Sequence, residues 1–389
     1  MSFNEIKKQD QEYIMHTYNR VGTALVKGRN ATAWDSEGKE YIDFTSGIGV
    51  NSLGYSDPMW VKAVSEQAAE IQHISNYYYH PKNTELAELL AKASGMSRMF
   101  FGNSGAEANE CAIKVAHKYG ETAGAYKIIT LEKSFHGRTL TTLAATGQDV
   151  FHKDFLPLTE GFLYAKPNDI DSVKALVDNK VCAVMIEVVQ GEGGVNVLEK
   201  AFVQELKTLC EENGMLLIVD EVQTGIGRTG AFFGYQGWGI MPDVVTSAKG
   251  VAGGLPMGIC MVSEALRDLL QPGMQGSTFG GNPVVSAGAV EVVKRVTAPG
   301  FLESVQEKAK IFKSRLLSMP GVKAVVGKGL MIGIELDGVA LPEIMNKCFE
   351  NGLLILSAGS RVRFLPPLTI TDQEIEKGLD VFEKILKSI

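Results

Sequence analysis

The stretch FVQELKTLCEENGMLLIVDEV, residues 202–222, decides the fold of this chain. Its first half repeats apolar residues at the spacing of one helical face and then reaches a glycine that ends the helix: Phe202, Leu206, Leu209, Cys210 and Gly214. Its second half is a continuous apolar run that ends in Asp220, as expected of a strand buried on both faces. A helix followed directly by such a strand predicts an α/β fold with a mostly parallel sheet that is covered by helices.

Short apolar runs recur on both sides of this stretch, from about residue 98 to 290, with helical patterns between them. Four of them are predicted as further buried strands of the same sheet: KIITL (127–131), VCAVMIEVV (181–189), DVVTSA (243–248) and GICMV (258–262).

The rest of the chain is predicted to form a smaller domain. Residues 33–44, AWDSEGKEYIDF, have the pattern of a hairpin. After the break at Ala298-Pro299-Gly300, helical and strand patterns return, and Thr371 with Glu374 forms a capping box for a last helix. We therefore divide the chain into an N-terminal part of a small domain (1–55), a large domain (56–295) and a C-terminal part of the small domain (296–389).

Composition excludes several classes of protein. The 389 residues carry 38 Lys and Arg against 45 Asp and Glu, a net charge of -7, so the charge balance does not predict a nucleic-acid partner. The five cysteines are scattered without a CxxC pair, which predicts neither a disulfide framework nor a metal site and favours the cytoplasm. No run of eighteen apolar residues predicts a membrane span, and the charged N-terminus is not typical of a signal peptide.

The sequence GNSGAEANECAIKVAHKYG, residues 102–120, predicts an anion site. Ser104 and Glu107 form a capping box, so a helix begins at Ser104-Gly105-Ala106 and its free N–H groups point at whatever lies before it. The alternative is a well-capped helix without a ligand.

Two charged residues follow predicted strands. Asp220 lies at the carboxyl end of a strand, where α/β sheets place ligand-binding groups, although Asp220 or Glu221 could instead hold the next loop. A magnesium-binding role in a nucleotide hydrolase would require a GxxxxGK[ST] loop, which the sequence lacks. Lys249 lies between a strand and the loop GVAGGLPMG, where desolvation would make its amine nucleophilic; the alternatives are an exposed or a phosphate-binding lysine.

Taken together, these features are the parts that a pyridoxal 5'-phosphate site needs. They are an anion site for the phosphate, an acid for the ring nitrogen, a nucleophilic lysine, and an aromatic wall supplied by Phe135 in SFHGRT. The segment SFHGRT could instead be a loop that begins a helix and carries a structural histidine.

Further motifs carry a resemblance to a known family: GKEYIDFTSGIGVNSLGYSDP, FGNSGAEANECAIKVA, QGEGGV, LLIVDEVQTGIGRTG, SAKGVAGGLPMG, GSTFGGNP and VRFLPPL. In this order they resemble the class III, or ornithine-type, pyridoxal-phosphate aminotransferases, and most of all those that act on N2-acetylornithine. The resemblance implies the fold type I architecture with a seven-stranded central sheet, a cytoplasmic homodimer with shared active sites, and a transaminase of arginine biosynthesis that uses 2-oxoglutarate.

The resemblance also implies roles for single residues. Lys249 would bind the cofactor covalently and move the substrate proton, and Asp220 would keep the ring nitrogen protonated. The other cofactor contacts would be Gln223 at the ring hydroxyl, Ser104, Gly105 and Ala106 at the phosphate, Phe135 on the ring, and Thr278 at the phosphate of the other subunit.

Substrate contacts are implied in the same way. Arg138 would bind the carboxylate of the acylated ornithine, and Arg363 the α-carboxylate of glutamate or 2-oxoglutarate. Glu192 would pair with Arg363 while a donor with one carboxylate is bound and move away for the dicarboxylate. Tyr18 and Ser277 would line the substrate pocket.

Two departures from the family pattern bear on specificity, namely Val188 where relatives commonly have proline and Gln275 where they often have histidine. The alternative amino donors therefore remain ornithine, succinylornithine, 4-aminobutyrate and donors of the lysine pathway. An aminomutase on the same fold is a rival that the two arginines disfavour, and Lys249 argues against a binding protein without catalysis.

Overall fold

The computed structural model describes residues 1–388. Its strands in chain order are β1 Leu25–Arg29, β2 Thr32–Asp35, β3 Glu40–Asp43, β4 Arg98–Gly102, β5 Lys127–Leu131, β6 Phe162–Ala165, β7 Val181–Ile186, β8 Val189–Gln190, β9 Asn196–Val197, β10 Leu216–Asp220, β11 Val244–Ser247, β12 Gly258–Val262, β13 Val322–Lys328, β14 Met331–Leu336, β15 Leu353–Leu354, β16 Leu356–Ala358 and β17 Arg361–Phe364.

The helices in chain order are α1 Phe3–Tyr13, α2 Ser46–Gly49, α3 Pro58–Glu70, α4 Pro81–Ser94, α5 Gly105–Gly120, α6 Leu140–Ala145, α7 Asp149–His152, α8 Ile170–Lys174, α9 Lys200–Glu212, α10 Gly234–Trp238, α11 Pro283–Val296, α12 Phe301–Leu317, α13 Leu341–Glu350 and α14 Asp372–Leu386. Among residues 1–388, none of them combines the length and the apolar character that crossing a membrane requires.

A seven-stranded sheet forms the centre of the molecule, in the order β4-β12-β11-β10-β7-β5-β6. Neighbours from β11 to β6 run parallel, and β12 is antiparallel to both β11 and β4. Alternate residues of β7 enter two separate apolar clusters, Val184 with Ile186 in one and Ala183 with Met185 in the other. Both faces are therefore covered, which confirms the predicted mostly parallel α/β sheet.

One predicted strand is shorter than expected. The apolar run 181–189 stays in the central sheet only as far as Ile186, which pairs with Val219. Val189 pairs instead with Val197 in a separate two-stranded ribbon, because the chain turns away at Glu187 and Val188. An apolar pattern alone cannot show this change of partner, since residues of both segments are fully buried.

Segments from both ends of the chain share a smaller sheet and an apolar core. The predicted hairpin is present as β2 and β3, and β15 joins the same sheet by pairing Leu353 with Ile42. Phe44 packs against Phe312 and Phe364, with ring centroids 5.1 and 5.0 Å away. The boundaries after residues 55 and 295 stay a prediction, and the last predicted segment extends to Ile389, which lies outside the described residues.

Candidate active site

The carboxyl ends of β5, β7, β10 and β11 open into one cavity of about 360 Å³. Its lining includes eight residues that the sequence predicted for cofactor or substrate, namely Ser104, Gly105, Ala106, Phe135, Glu192, Asp220, Gln223 and Lys249. These residues come from positions 104 to 249, and the parallel strands bring them to a single edge of the sheet.

Asp220 faces this cavity, and three donors hold its carboxylate. Oδ1 accepts the backbone N–H of Val222 at 2.9 Å, and Oδ2 accepts the Asn109 amide at 2.8 Å. The third donor is His136, whose Nδ1 lies 2.8 Å from the same Oδ2. Because a carboxylate only accepts, this contact assigns the proton to His136 Nδ1.

The neighbouring acid, Glu221, has a structural role. It accepts the backbone N–H groups of Gly234 and Tyr235 at 2.8 and 2.7 Å and the hydroxyl of Thr224 at 2.6 Å, and thereby holds the start of α10. Burial raises the pKa of Glu221 to about 7. Successive side chains of an extended chain point to opposite faces, so Glu221 holds the loop while Asp220 serves the cavity.

Lys249 follows β11 and lies in the left-handed region of backbone conformation, with φ at 47°. That conformation is uncommon outside glycine and costs about 1–3 kcal/mol, which the surrounding structure must offset. Burial lowers the pKa of the Lys249 amine, and the positive charge of Arg363 acts in the same direction. A lowered pKa increases the fraction of the amine that is neutral, and therefore nucleophilic, at a given pH.

Arg363 is 2% exposed and lies behind the cavity wall, where it contacts the two lining residues Glu192 and Gln223. Its guanidinium donates to the two oxygens of Glu192 at 2.8 and 3.2 Å and to Gln223 Oε1 at 3.2 Å. Burial by itself would raise the pKa of Glu192, but Arg363, Lys249 and Gln223 outweigh it and lower the pKa. Glu192 is therefore a charged partner for a buried cation.

The N-terminus of α5, where the sequence predicted an anion site, lies at one side of the cavity. Ser104 accepts the N–H of Glu107 at 3.1 Å, but the Glu107 carboxylate turns to Asn103, so only half of the predicted capping box forms. A Cβ on Gly258 would lie 1.9 Å from the carbonyl oxygen of Ser104. Glycine at position 258 thus allows β12 to approach this turn closely.

Five predicted residues lie outside the cavity lining, namely Arg363, described above, and Arg138, Tyr18, Ser277 and Thr278. Arg138 is exposed, with its guanidinium carbon 4.3 Å from the ring centroid of Phe151. Tyr18 is 77% exposed. Ser277 accepts the Asn103 side-chain amide at 3.2 Å, and Thr278 lies beside it in the lining of another cavity, of about 580 Å³.

Comparison with known proteins identifies the family. The model of the family described as Aminotransferase class-III matches residues 13–386. The chain belongs to the class III aminotransferases. Acetylornithine aminotransferase from Haemophilus ducreyi is 46% identical over the full length of both chains, and that from Aquifex aeolicus is 46% identical over 96% of this chain and 100% of the relative.

Solved structures agree with this class III aminotransferase assignment. The ornithine aminotransferase of Toxoplasma gondii is 30% identical, has a TM-score of 0.94, and matches 100% of this chain and 96% of its own. The N-acetylornithine aminotransferase of Stenotrophomonas maltophilia is 33% identical, has a TM-score of 0.84, and matches 98% of each chain. The chain therefore has the fold type I architecture, and its cofactor is pyridoxal 5'-phosphate.

The residues of this aminotransferase fit that cofactor. The glycine-lined turn before α5 leaves room for a phosphate, Phe135 supplies an aromatic wall, and Lys249 supplies an amine. Within residues 1–388, Oδ1 of Asp220 accepts one hydrogen bond, so it can still accept another from a ring nitrogen. Among the same residues, no group of three or more His, Cys, Asp or Glu could hold a metal ion.

Sequence reasoning missed two residues of this site. Glu187 lines the cavity, and burial, with the negative charge of Asp220, raises its pKa to about 8 against the opposing charges of His136 and Lys249. The sequence pattern places Glu187 inside the predicted strand 181–189, where a single acid within an apolar run is the signal that could have identified it. Asn109 is a polar residue on the apolar face of α5, which marks a buried hydrogen bond.

Proposed function

We propose that this class III aminotransferase is an acetylornithine aminotransferase. It would move the terminal amino group of N2-acetylornithine to 2-oxoglutarate and yield N-acetylglutamate 5-semialdehyde and glutamate, a step of arginine biosynthesis. Relatives of that name, 46% identical over nearly the whole chain, support the donor. The observation that carries the proposal is the bidentate pair of Arg363 with Glu192 beside the amine of Lys249.

Each side chain has a distinct task in this reaction. When bound, pyridoxal phosphate supplies an electron sink for the pair of electrons left on the amine-bearing carbon. The Lys249 amine would accept the proton from that carbon on its Nζ, hold it, and later give it back. Its lowered pKa suits this exchange, since an amine must lose its own extra proton before it can accept another.

The remaining residues hold the reactants. Ser104, Gly105 and Ala106 would bind the phosphate at the start of α5, and Gln223 would bond the ring hydroxyl. Phe135 would stack on the ring. These contacts would fix the cofactor relative to Lys249, so that little motion is needed for proton transfer.

Arg363 and Glu192 would adapt one site to two substrates. A donor with a single carboxylate leaves the Arg363–Glu192 pair closed, so that no buried cation is left unpaired. The second carboxylate of 2-oxoglutarate or glutamate would displace Glu192 and take its place on Arg363. Arg138 would bind the carboxylate of acetylornithine, and among residues 1–388 it takes part in no ion pair that would compete.

Tyr18 and Ser277 would complete the substrate pocket.

We also propose a cytoplasmic homodimer in which Thr278 binds the phosphate in the other subunit. The cavity beside Thr278 is lined by Tyr77, which is 94% exposed, and Phe279 nearby is 61% exposed. Exposed aromatic side chains grouped in this way mark protein interfaces. The five cysteines are all buried and free, which supports a reducing compartment.

The decisive experiment is a panel of amino donors with 2-oxoglutarate, measured as kcat/KM for each. Acetylornithine should be preferred over ornithine, succinylornithine and 4-aminobutyrate, and Arg138→Ala should raise the KM for acetylornithine. A matching or greater kcat/KM for ornithine would contradict the proposed donor, and turnover without a keto-acid acceptor would point to an aminomutase.

A further inference from the structure

Asn109 lies in the site without a role in the reaction described above. It is on α5, five residues after Ser104, and only 1% of it is exposed. Its side chain makes three hydrogen bonds with distances of 2.7 to 2.8 Å, to Asp220, to the carbonyl of His136 and to the hydroxyl of Thr246. A buried amide with all these partners is a rigid connection between the segments that carry them.

Its partners settle which way the amide points. The Asp220 carboxylate and the His136 carbonyl can only accept, so Nδ2 of Asn109 faces both of them. Oδ1 then accepts the hydroxyl of Thr246 at 2.7 Å. The carboxylate and the carbonyl therefore prevent the amide from turning over, since the flipped amide would place its oxygen against both, and the Thr246 hydroxyl holds the amide in this orientation.

This arrangement distinguishes the two oxygens of Asp220. Oδ2 is occupied by two side-chain donors, Asn109 and His136, whereas Oδ1 receives only the N–H of Val222 among residues 1–388. We propose that Asn109, held in place by Thr246, is a positioning residue that turns Asp220 so that Oδ1 accepts a hydrogen bond from the ring nitrogen of pyridoxal phosphate. The proposal rests on the cofactor site described above and does not depend on the amino donor.

The same contacts would tie the two ends of the cofactor site together. Asn109 is on the helix whose first turn would bind the phosphate, and Asp220 pairs with Thr246 in neighbouring strands of the sheet. One amide therefore fixes the distance between the phosphate site and the acid that receives the ring. A shift of either element would move Asp220 relative to the ring nitrogen.

Other charged groups also face Asp220 and must be kept constant in a test. They come from every element around it: His136 after β5, Glu187 after β7, Glu221 after β10 and Lys249 after β11. Replacing Asn109 or Thr246 changes none of these charges. An altered protonation of the ring nitrogen can therefore be assigned to the position of Asp220.

The test uses holoenzyme loaded with pyridoxal phosphate that carries ¹⁵N in its ring. In Asn109→Leu, the pH midpoint for loss of the ring-nitrogen proton should fall by about 1–2 units, and the dissociation constant of the cofactor should rise about 10- to 100-fold, as for loss of a hydrogen bond to a charged group. Thr246→Val should raise that constant about 5-fold, and Thr246→Ser, which keeps the hydroxyl, should restore the wild-type values.

Thr130→Val is the matched control, because Thr130 is a buried threonine of β5 whose hydroxyl has no hydrogen-bond partner among residues 1–388. It should leave both readouts unchanged. A folded Asn109→Leu with the wild-type ¹⁵N titration would overturn the proposal, as would an equal change in Thr130→Val. If Asn109→Leu does not fold, the comparison of Thr246→Val with Thr246→Ser decides. Because neither readout involves a substrate, an error in the proposed amino donor would leave the result unaffected.

Discussion

Replacing Glu192 by glutamine should change the two half-reactions in opposite directions. The wild-type carboxylate accepts two bonds from Arg363, at 2.8 and 3.2 Å, and its side chain is 29% exposed. Glutamine keeps the shape but removes the charge, and charge-assisted bonds are about twice as strong as neutral ones. For two partly screened bonds the difference is about 1–2 kcal/mol, which corresponds to a factor of about 5 to 30.

We therefore expect Glu192→Gln to bind 2-oxoglutarate about 5- to 30-fold more tightly, because its second carboxylate meets a weaker competitor on Arg363. The acetylornithine half-reaction should lose efficiency, since the free cation would then attract the carboxylate of the donor into a wrong position. Stopped-flow absorbance of the cofactor in single turnovers measures each half-reaction separately.

Glu335→Gln is the control for this prediction. Glu335 also forms an ion pair with an arginine, Arg361, at 3.4 Å. Arg361 lies on β17, two positions before Arg363. That substitution should leave both half-reactions unchanged. A Glu192→Gln enzyme whose affinity for 2-oxoglutarate is unchanged or weaker would refute the competition between the two carboxylates.

Three further predictions test other parts of the site. Lys249→Ala should abolish transamination, and borohydride should no longer fix the cofactor to the chain; a variant with the normal rate would show that another group moves the proton. Glu187 has its pKa raised from 4.5 to about 8, so its contribution to stability is fully present below pH 4.5 and is lost as the pH rises through about 8. As the pH rises from 4.5 to about 8, Glu187→Gln should therefore gain stability relative to the wild type, by at most about 5 kcal/mol. Urea unfolding of the cofactor-free protein measures this difference, and a difference that does not change with pH would contradict the raised pKa. Gly258→Ala should destabilise the protein by about 1–3 kcal/mol or more and weaken cofactor binding, because its Cβ would lie 1.9 Å from the Ser104 carbonyl oxygen. Gly237→Ala is the control, because a Cβ at Gly237 would have nothing within 4 Å, and it should change neither property. Thermal unfolding and cofactor titration measure the two effects.

Much of the central sheet and of the helices around it was predictable because the signals are local. The strand KIITL and the strand GICMV have the observed bounds, since a continuous apolar run between turn residues leaves few other structures. The helix start at Ser104 and the capping box of Thr371 with Glu374 depend on residues only three positions apart. The motifs around Ser104, Phe135, Asp220 and Lys249 together predicted the cofactor.

Contacts between distant segments were not predictable in the same way. The sequence could not decide whether Asp220 or Glu221 serves the cavity, because that depends on which face of the chain α10 covers. It also could not show that the apolar run at 181–189 changes partner at Glu187, because burial is equally complete in both sheets.

The sequence by itself determined the type of fold and the family and predicted which residues carry the chemistry, because these depend on short patterns and on motifs in order. Only the tertiary structure decided how those residues act on one another. Arg363 and Glu192 are 171 positions apart, and Asn109 and Asp220 are 111 apart. Such pairs form only when the sheet brings strand ends and a helix start to one edge, where burial lowers the pKa of Lys249 and hydrogen bonds hold the carboxylate of Asp220.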